Sequence, residues 1–325
     1  MAQTYRDANS TLVLDSGIQH CSVSAPLEEK LFSILCSGWM QCLWTLQEGL
    51  LAHRLIFAFA DGFEDIDSLT PEGADLLDCL LQGLSSNVLH ISIHQDSKVF
   101  RIGELARFLE WRTTSKAEDE MLAIAGLANV SAAELVNLPP HERMKIFLLR
   151  VQKLPLNIIF MSVPKLKDPG FCWAPQTLMQ KGGTHMTVAD RYNAVCTSTG
   201  LLTEYAAVYL PQRTVRRDMK WFLYNSTKNC IYEAAVTVPD SSDGKENTYT
   251  CDALLMMNLP QRSELVVCAA VFMIGSDSES GDRDRMICEY RQRLFLVDIS
   301  EMQLDREKPK DVVEAKSGRM KTRVR

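Results

Sequence analysis

Short apolar runs and a longer helical pattern alternate over residues 1–62 of the chain. Residues 10–15 (STLVLD) and 54–61 (RLIFAFAD) are short apolar runs of the kind that forms buried parallel strands. Between them, apolar residues recur at three- and four-residue intervals, as in helices that cover a sheet, and Ser37 with Gly38 predicts a break. Strand, helix and strand together predict a βαβ unit, and therefore an α/β layer.

The pattern becomes helical over residues 63–155 and strand-like over residues 156–302. Helical stretches include residues 70–84 and 100–112, whereas short apolar runs separated by turn-rich segments follow residue 156. Residues 303–325 end in the basic run KSGRMKTRVR, which predicts a disordered, solvated tail. We therefore predict an α+β fold with a partial, Rossmann-like α/β layer, a helical middle, a β-rich region and this tail.

Composition and charge limit the classes of function. The chain has 325 residues, 46% of them hydrophobic, and its net charge of −6 argues against nucleic acid as a partner. No apolar run reaches the length of about 20 residues that spans a membrane, and we expect no signal peptide. The ten cysteines form no CxxC pair, so we predict reduced thiols in a cytoplasmic protein.

Glu48, in the stretch WTLQEG, is the residue most worth testing as a catalytic group. A buried carboxylate there could act as a general base or bind a nucleotide ribose. The structural alternative is a carboxylate bonded to the Trp44 indole, to Arg54 or to a backbone amide, because buried polar groups need partners. We favour the structural alternative, in which Trp39 and Trp44 pack on the strands and Gln47 and Glu48 anchor the loop that follows.

A second cluster favours structure over metal chemistry. In WRTTSKAEDE, Arg112 precedes Glu118, Asp119 and Glu120, but neighbouring carboxylates on a helix point in different directions and cannot share one ion. We expect a capped helix and a salt bridge from Arg112 to one of these acids.

The remaining candidates are weaker. His90 and His94 have no third ligand near them in the sequence, and Cys172 has no histidine closer downstream than His185. The chain contains no GxGxxG, GxSxG or HExxH motif. We therefore predict no metal, no cofactor and no catalytic residue.

Several of these stretches, in this order, resemble the fungal heterokaryon-incompatibility (HET) domain proteins. The matching blocks are AQTYRDANSTLVLDSGI, GWMQCLWTLQEGLLAHRLIF, EWRTTSKAEDEMLAIAGL and PGFCWAPQTLM, which span about residues 2 to 180. The motif residues, to which we give structural roles, are Trp39, Trp44, Gln47, Glu48, Arg112, Asp119, Glu120 and Trp173.

The upstream motifs of that family, L-S-Y-x-W-G and W-I-D-x-L-C-I-N-Q, are not present. The resemblance therefore implies a C-terminal portion of a HET protein, with residues 1–62 as the remnant of its α/β domain. It implies a TIR-like layer, protein partners, and a role in self/non-self recognition and regulated cell death, without catalysis in this truncated form. Two alternatives stay open: a NAD-cleaving, TIR-like enzyme that uses Glu48 or Glu118, and a scaffold whose β-rich half binds a peptide or partner domain.

Overall fold

A computed structural model describes most of the chain, in two units. The described residues are 2–69, 99–110, 112–179, 193–236, 247–261, 264–277, 284–299 and 312–325. Unit 1 comprises Met1–Val151 with Thr177–His185, and unit 2 comprises Gln152–Gln176 with Met186–Arg325. The helix predicted at residues 70–84, and His90, His94 and His185, lie outside the described residues.

Both helices and strands are present, which confirms the α+β prediction. The helices are α1 (Ala2–Asp7), α2 (Leu27–Leu35), α3 (Gly38–Gln41), α4 (Thr45–Leu51), α5 (Ile102–Leu109), α6 (Glu120–Ala125), α7 (Ala132–Val136) and α8 (Pro140–Val151). The strands are β1 (Thr11–Val13), β2 (Leu55–Ala58), β3 (Phe63–Asp65), β4 (Lys153–Leu154), β5 (Ala194–Thr197), β6 (Gly200–Arg216), β7 (Trp221–Asn225), β8 (Cys230–Val236), β9 (Thr248–Met256), β10 (Leu265–Ser276), β11 (Met286–Asp298) and β12 (Val312–Val324). In the described part of the chain, no helix combines the length and apolar character that crossing a membrane requires.

Unit 1 contains the predicted βαβ unit. Strands β1 and β2 pair in parallel, with Val13 opposite Phe57, and β3 adds antiparallel to β2. The helical segment between β1 and β2 breaks where predicted, because the Ser37 side chain caps α3 by accepting a hydrogen bond from the Met40 N–H. The Trp39 ring then meets the Phe57 ring edge-on at 5.6 Å, which attaches α3 to the sheet.

Unit 2 is built on a sheet that closes on itself. Seven strands follow one another in the order β6, β9, β10, β11, β8, β7 and β12, and β12 pairs again with β6. The first part of β12 pairs in parallel with β7 and the rest pairs antiparallel with β6. Pro211, which has no N–H to donate, lies where the register between β6 and β9 is interrupted. The apolar side chains on the inner face form one core, which includes Trp221, Tyr232 and Leu294.

The predicted disordered tail is wrong for residues 312–324. The prediction followed the basic side chains of this run, but these occupy the exposed positions of a strand. Lys316, Arg319 and Lys321 are exposed, while Met320 is buried. A Cβ at Gly200 would lie 2.5 Å from the Val324 carbonyl oxygen, so β12 fits here because residue 200 has no side chain.

The apolar run at residues 156–161, predicted as a strand, forms a 3₁₀ turn over Leu156–Phe160 instead. Leu156, Ile158 and Ile159 are all buried, so the run lacks the alternation that distinguishes a strand, and a short buried run fits either structure.

The closed sheet predicts that residues near the chain end contribute to stability. Met320→Ala removes a side chain that is 2% exposed, and should lower the free energy of unfolding by about 2–5 kcal/mol, measured by urea denaturation. Lys316→Ala, on the exposed side of the same strand, is the matched control and should change it by less than about 0.5 kcal/mol. Equal, small effects of the two substitutions would show that residues 312–324 do not form β12.

Candidate functional site

Arg112 lies at the centre of a buried polar network in unit 1. Its side chain is 2% exposed, and Nη1 donates to the Cys42 carbonyl oxygen and, at 2.8 Å, to the Thr45 hydroxyl. Its guanidinium carbon is 6.0 Å from the centre of the Trp39 ring. Backbone bonds fix the same junction, because Leu43 N–H donates to the Thr113 carbonyl. The salt bridge expected from Arg112 to Glu118, Asp119 or Glu120 is therefore wrong: the guanidinium points toward α3 and α4.

Burial and nearby charges act on Arg112 in opposite directions. Loss of water lowers the pKa of Arg112 to about 10, while Cys42 and the Glu48 carboxylate act to raise it. The guanidinium is therefore charged at neutral pH. Its Nε has no hydrogen-bond partner among the described residues.

Glu48 is bound through both of its carboxylate oxygens. The Tyr5 hydroxyl donates to Oε1 at 3.0 Å and the Trp39 indole Nε1 donates to Oε2 at 3.1 Å. The expected partners were Trp44, Arg54 or a backbone amide; the structure uses Trp39 from the preceding helix instead. Burial, the larger cause, and the contact with Glu48 both raise the pKa of Tyr5. The structural alternative for Glu48 thus has a geometric basis, with different partners from those predicted.

Gln47, in α4, connects this helix to α6 within unit 1. It is 6% exposed, and its side-chain amide donates to the Ala123 carbonyl oxygen at 2.5 Å. We expected Gln47 and Glu48 to hold the loop after α4, and this is wrong: Gln47 binds Ala123, and Glu48 binds Tyr5 and Trp39 on the N-terminal side of α4.

Glu120 is a second buried carboxylate in unit 1. It is 4% exposed and accepts hydrogen bonds at 2.6 Å from the Thr177 hydroxyl and from the Leu178 N–H. Burial raises the pKa of Glu120 to about 7, and the Thr177 and Leu178 bonds oppose this shift. Glu120 therefore fastens residues 177 and 178 to α6.

The other predicted motif residues lie outside this network. Trp44 is half-buried rather than buried, and Asp119 ends the 3₁₀ turn that precedes α6, a turn with no side-chain cap. The helix expected to be capped in this stretch begins at Glu120, and no side chain caps it. Trp173 belongs to unit 2, where it is fully buried and donates its indole N–H to the Gly170 carbonyl.

Sequence reasoning missed Tyr5, Thr45 and Thr177, which supply the hydroxyl groups of these contacts. Nothing local marks them, because each is paired with a residue far away in the chain. The only available signal was that each lies inside a block that carries the resemblance.

The contacts of this network hold segments of unit 1 together. Each oxygen of Glu48 accepts a hydrogen bond from a neighbour in unit 1, and no group of three or more His, Cys, Asp or Glu side chains in the described residues could hold a metal. A carboxylate has about four lone-pair sites on its two oxygens, so these two bonds orient the group and use about half of its acceptor capacity.

Comparisons with known proteins add no constraint to this geometry. The chain matches no model of a protein family, no curated protein and no solved structure.

The contacts of Glu48 predict how the fold responds to two substitutions. In Glu48→Gln, the amide oxygen can accept from the Trp39 indole while the amide nitrogen donates to the Tyr5 hydroxyl, so the fold should remain intact with a loss below about 1 kcal/mol. Glu48→Leu leaves the indole N–H without an acceptor and should cost about 1–3 kcal/mol. Urea denaturation of the purified variants measures both. A Glu48→Gln variant that is soluble but unfolded would contradict this assignment.

The buried Glu120 predicts a pH dependence of stability. Because its folded pKa is about 7, above the ordinary 4.5, the folded state binds more protons than the unfolded state between these values. Its contribution to stability is therefore fully present below about pH 4.5 and is lost as the pH rises through about 7.

Glu120→Gln cannot ionise and keeps an acceptor for the Leu178 N–H. The free energy of unfolding of wild type, relative to this variant, should fall as the pH rises from about 5 to about 8, measured in urea at several pH values. Glu118→Gln, two residues earlier at an exposed position, is the matched control and should show no such trend. A pH-independent difference between wild type and Glu120→Gln would rule out the assignment.

Proposed function

We propose that this chain is a HET-type protein of fungal self/non-self recognition and regulated cell death, and that it acts through protein contacts without catalysis. The observation that carries the proposal is an exposed apolar face on the small sheet of unit 1. Leu12 is 47% exposed and Phe63 is 69% exposed, and both lie on the face opposite Val13 and Phe57. Leu14, just beyond β1, is 67% exposed.

A parallel sheet normally has both faces covered. Here one face is closed by Trp39 and by an ion pair in which Lys30 binds Glu64 at 2.8 Å, whereas the other exposes large apolar side chains. Strand β1 is also at the edge of this sheet in the described part of the chain. An exposed edge strand with apolar side chains binds an extended polypeptide segment readily, so we propose that β1 pairs with a strand of a partner protein.

The buried network supports the resemblance that motivates the proposal. The four blocks similar to HET proteins are far apart in the sequence, yet polar contacts join them within unit 1. Tyr5 reaches Glu48, Gln47 reaches Ala123, and Glu120 reaches Thr177. Contacts between separate blocks are what a shared scaffold would require, and this supports the resemblance.

The NAD-cleaving alternative fits the geometry less well. It needs a free carboxylate in an open cleft, whereas the Glu48 oxygens are bound to Tyr5 and Trp39, and Glu118 is a surface residue.

Growth of a filamentous fungus that expresses the chain tests the proposal. Wild type should arrest growth. The double variant Leu12→Asp/Leu14→Asp should not, so its cultures should give at least about tenfold more viable cells, because charged side chains prevent apolar contact. Leu265→Asp is the matched control, since Leu265 is 57% exposed but lies in unit 2, and it should act like wild type.

Glu48→Gln separates contact from catalysis in the same assay. It should still arrest growth, and purified wild type should leave NAD intact. Consumption of NAD that Glu48→Gln abolishes would replace the proposal with the enzymatic alternative. Full activity of the Leu12/Leu14 double variant would exclude this face as the contact surface.

A further inference from the structure

Lys165 in unit 2 has a buried ammonium group without a hydrogen-bond partner. Although the residue as a whole is partly exposed, its Nζ is shielded from solvent and finds no partner among the described residues. A fully desolvated amine is costly unless it is paired, and such an atom in a folded protein calls for an explanation. The face of the Tyr290 ring, 5.5 Å from Nζ, attracts the charge but gives the N–H groups no conventional acceptor.

A β-bulge places a second cation beside Lys165. In the pairing of β10 with β11, Val271 is opposite Tyr290 and Ala270 is opposite Gln292, so Arg291 is the extra residue. The bulge brings Tyr290 and Arg293, three positions apart, to the same face of the strand. This face is opposite the one on which Ala270 joins the inner core.

Arg293 is also buried on this face. It is 7% exposed, and its Nε donates to the Phe160 carbonyl oxygen at 2.7 Å. Burial, the larger cause, and the like charge of Arg293 together lower the pKa of Lys165 to about 7. Lys165 at the Tyr290 ring and Arg293 at the Phe160 carbonyl therefore bring two cations to one face of β11, where a negative charge would offset their repulsion.

We propose that Lys165 and Arg293 form a binding site for one small anion, a halide or the carboxylate of a small acid. The anion would accept a hydrogen bond from Lys165 Nζ and offset the repulsion between the two cations. The Tyr290 ring borders the site on one side. Bulky anions are disfavoured, because the Lys165 Nζ donor is shielded from solvent.

Thermal unfolding of the full chain in three sodium salts tests this proposal. The melting temperature is measured at about pH 6.5 and at equal ionic strength in chloride, acetate and gluconate, the last being too bulky for an enclosed site. Chloride or acetate at about ten times its Kd should raise the melting temperature by about 3–6 °C over gluconate, and the rise should saturate. Melting curves of wild type that coincide in all three salts would overturn the proposal.

Substitutions then locate the site. Lys165→Met, or Lys165→Gln if the first does not fold, should remove the difference between the salts. Lys228→Met removes the same charge from an exposed position of unit 2 and should keep the difference. If the variants at residue 165 respond to chloride or acetate as wild type does, the stabilising anion binds elsewhere and the assignment is wrong.

Discussion

The Arg112 guanidinium is buried inside unit 1, and the contacts that α3, α4 and the turn between them make with it stabilise its charge. Burying such a charge costs several kcal/mol after relaxation, more than one hydrogen bond returns. The Cys42 carbonyl, the Thr45 hydroxyl and the face of Trp39 each offset part of that cost. Because these groups come from α3, α4 and the turn between them, the break after α2 is a condition for the network.

Glu48 completes the same electrostatic arrangement without forming a direct ion pair. Its carboxylate is close enough to act on the pKa of Arg112, while its oxygens accept from Tyr5 and Trp39. Trp39 therefore has three roles: its ring contacts Phe57, its indole N–H binds Glu48, and its face meets Arg112. Because Trp39 contacts Phe57, Glu48 and Arg112, a substitution at any of these residues would disturb the contacts of the others.

The sequence was sufficient to predict elements whose signal is local. The parallel pairing of β1 with β2 followed from two apolar runs around a helical pattern, and the break at Ser37 followed from its chemistry as a cap. Tertiary partners could not be predicted in this way. Arg112 was assigned to the nearest acids, whereas its direction is set by the backbone bridge between Cys42 and Thr113.

Longer-range pairing explains the remaining errors. Strand β12 was predicted as a disordered tail because its exposed positions carry basic side chains, and its pairing with β6 depends on residues more than a hundred positions earlier. Trp39 and Trp44 were equivalent in the sequence, but only Trp39 faces the sheet. Four residues that the sequence singled out, Trp39, Gln47, Glu48 and Arg112, lie in the network, but their partners Tyr5, Thr45 and Ala123 could not be predicted.

The connections of Glu48 explain its structural role. One accepted hydrogen bond on each oxygen fixes the orientation of the carboxylate and leaves a second lone pair on each oxygen. In unit 1 the donors that hold Glu48 contact both oxygens. The Trp39 donor is buried and packs on Phe57, whereas Tyr5 is half-buried. Displacing the Glu48 carboxylate from these bonds would also change the electrostatic environment of Arg112, so the two residues stabilise unit 1 together. The exposed side chains of Leu12 and Phe63 lie on the opposite face of the sheet, where binding a partner requires no change in the buried network.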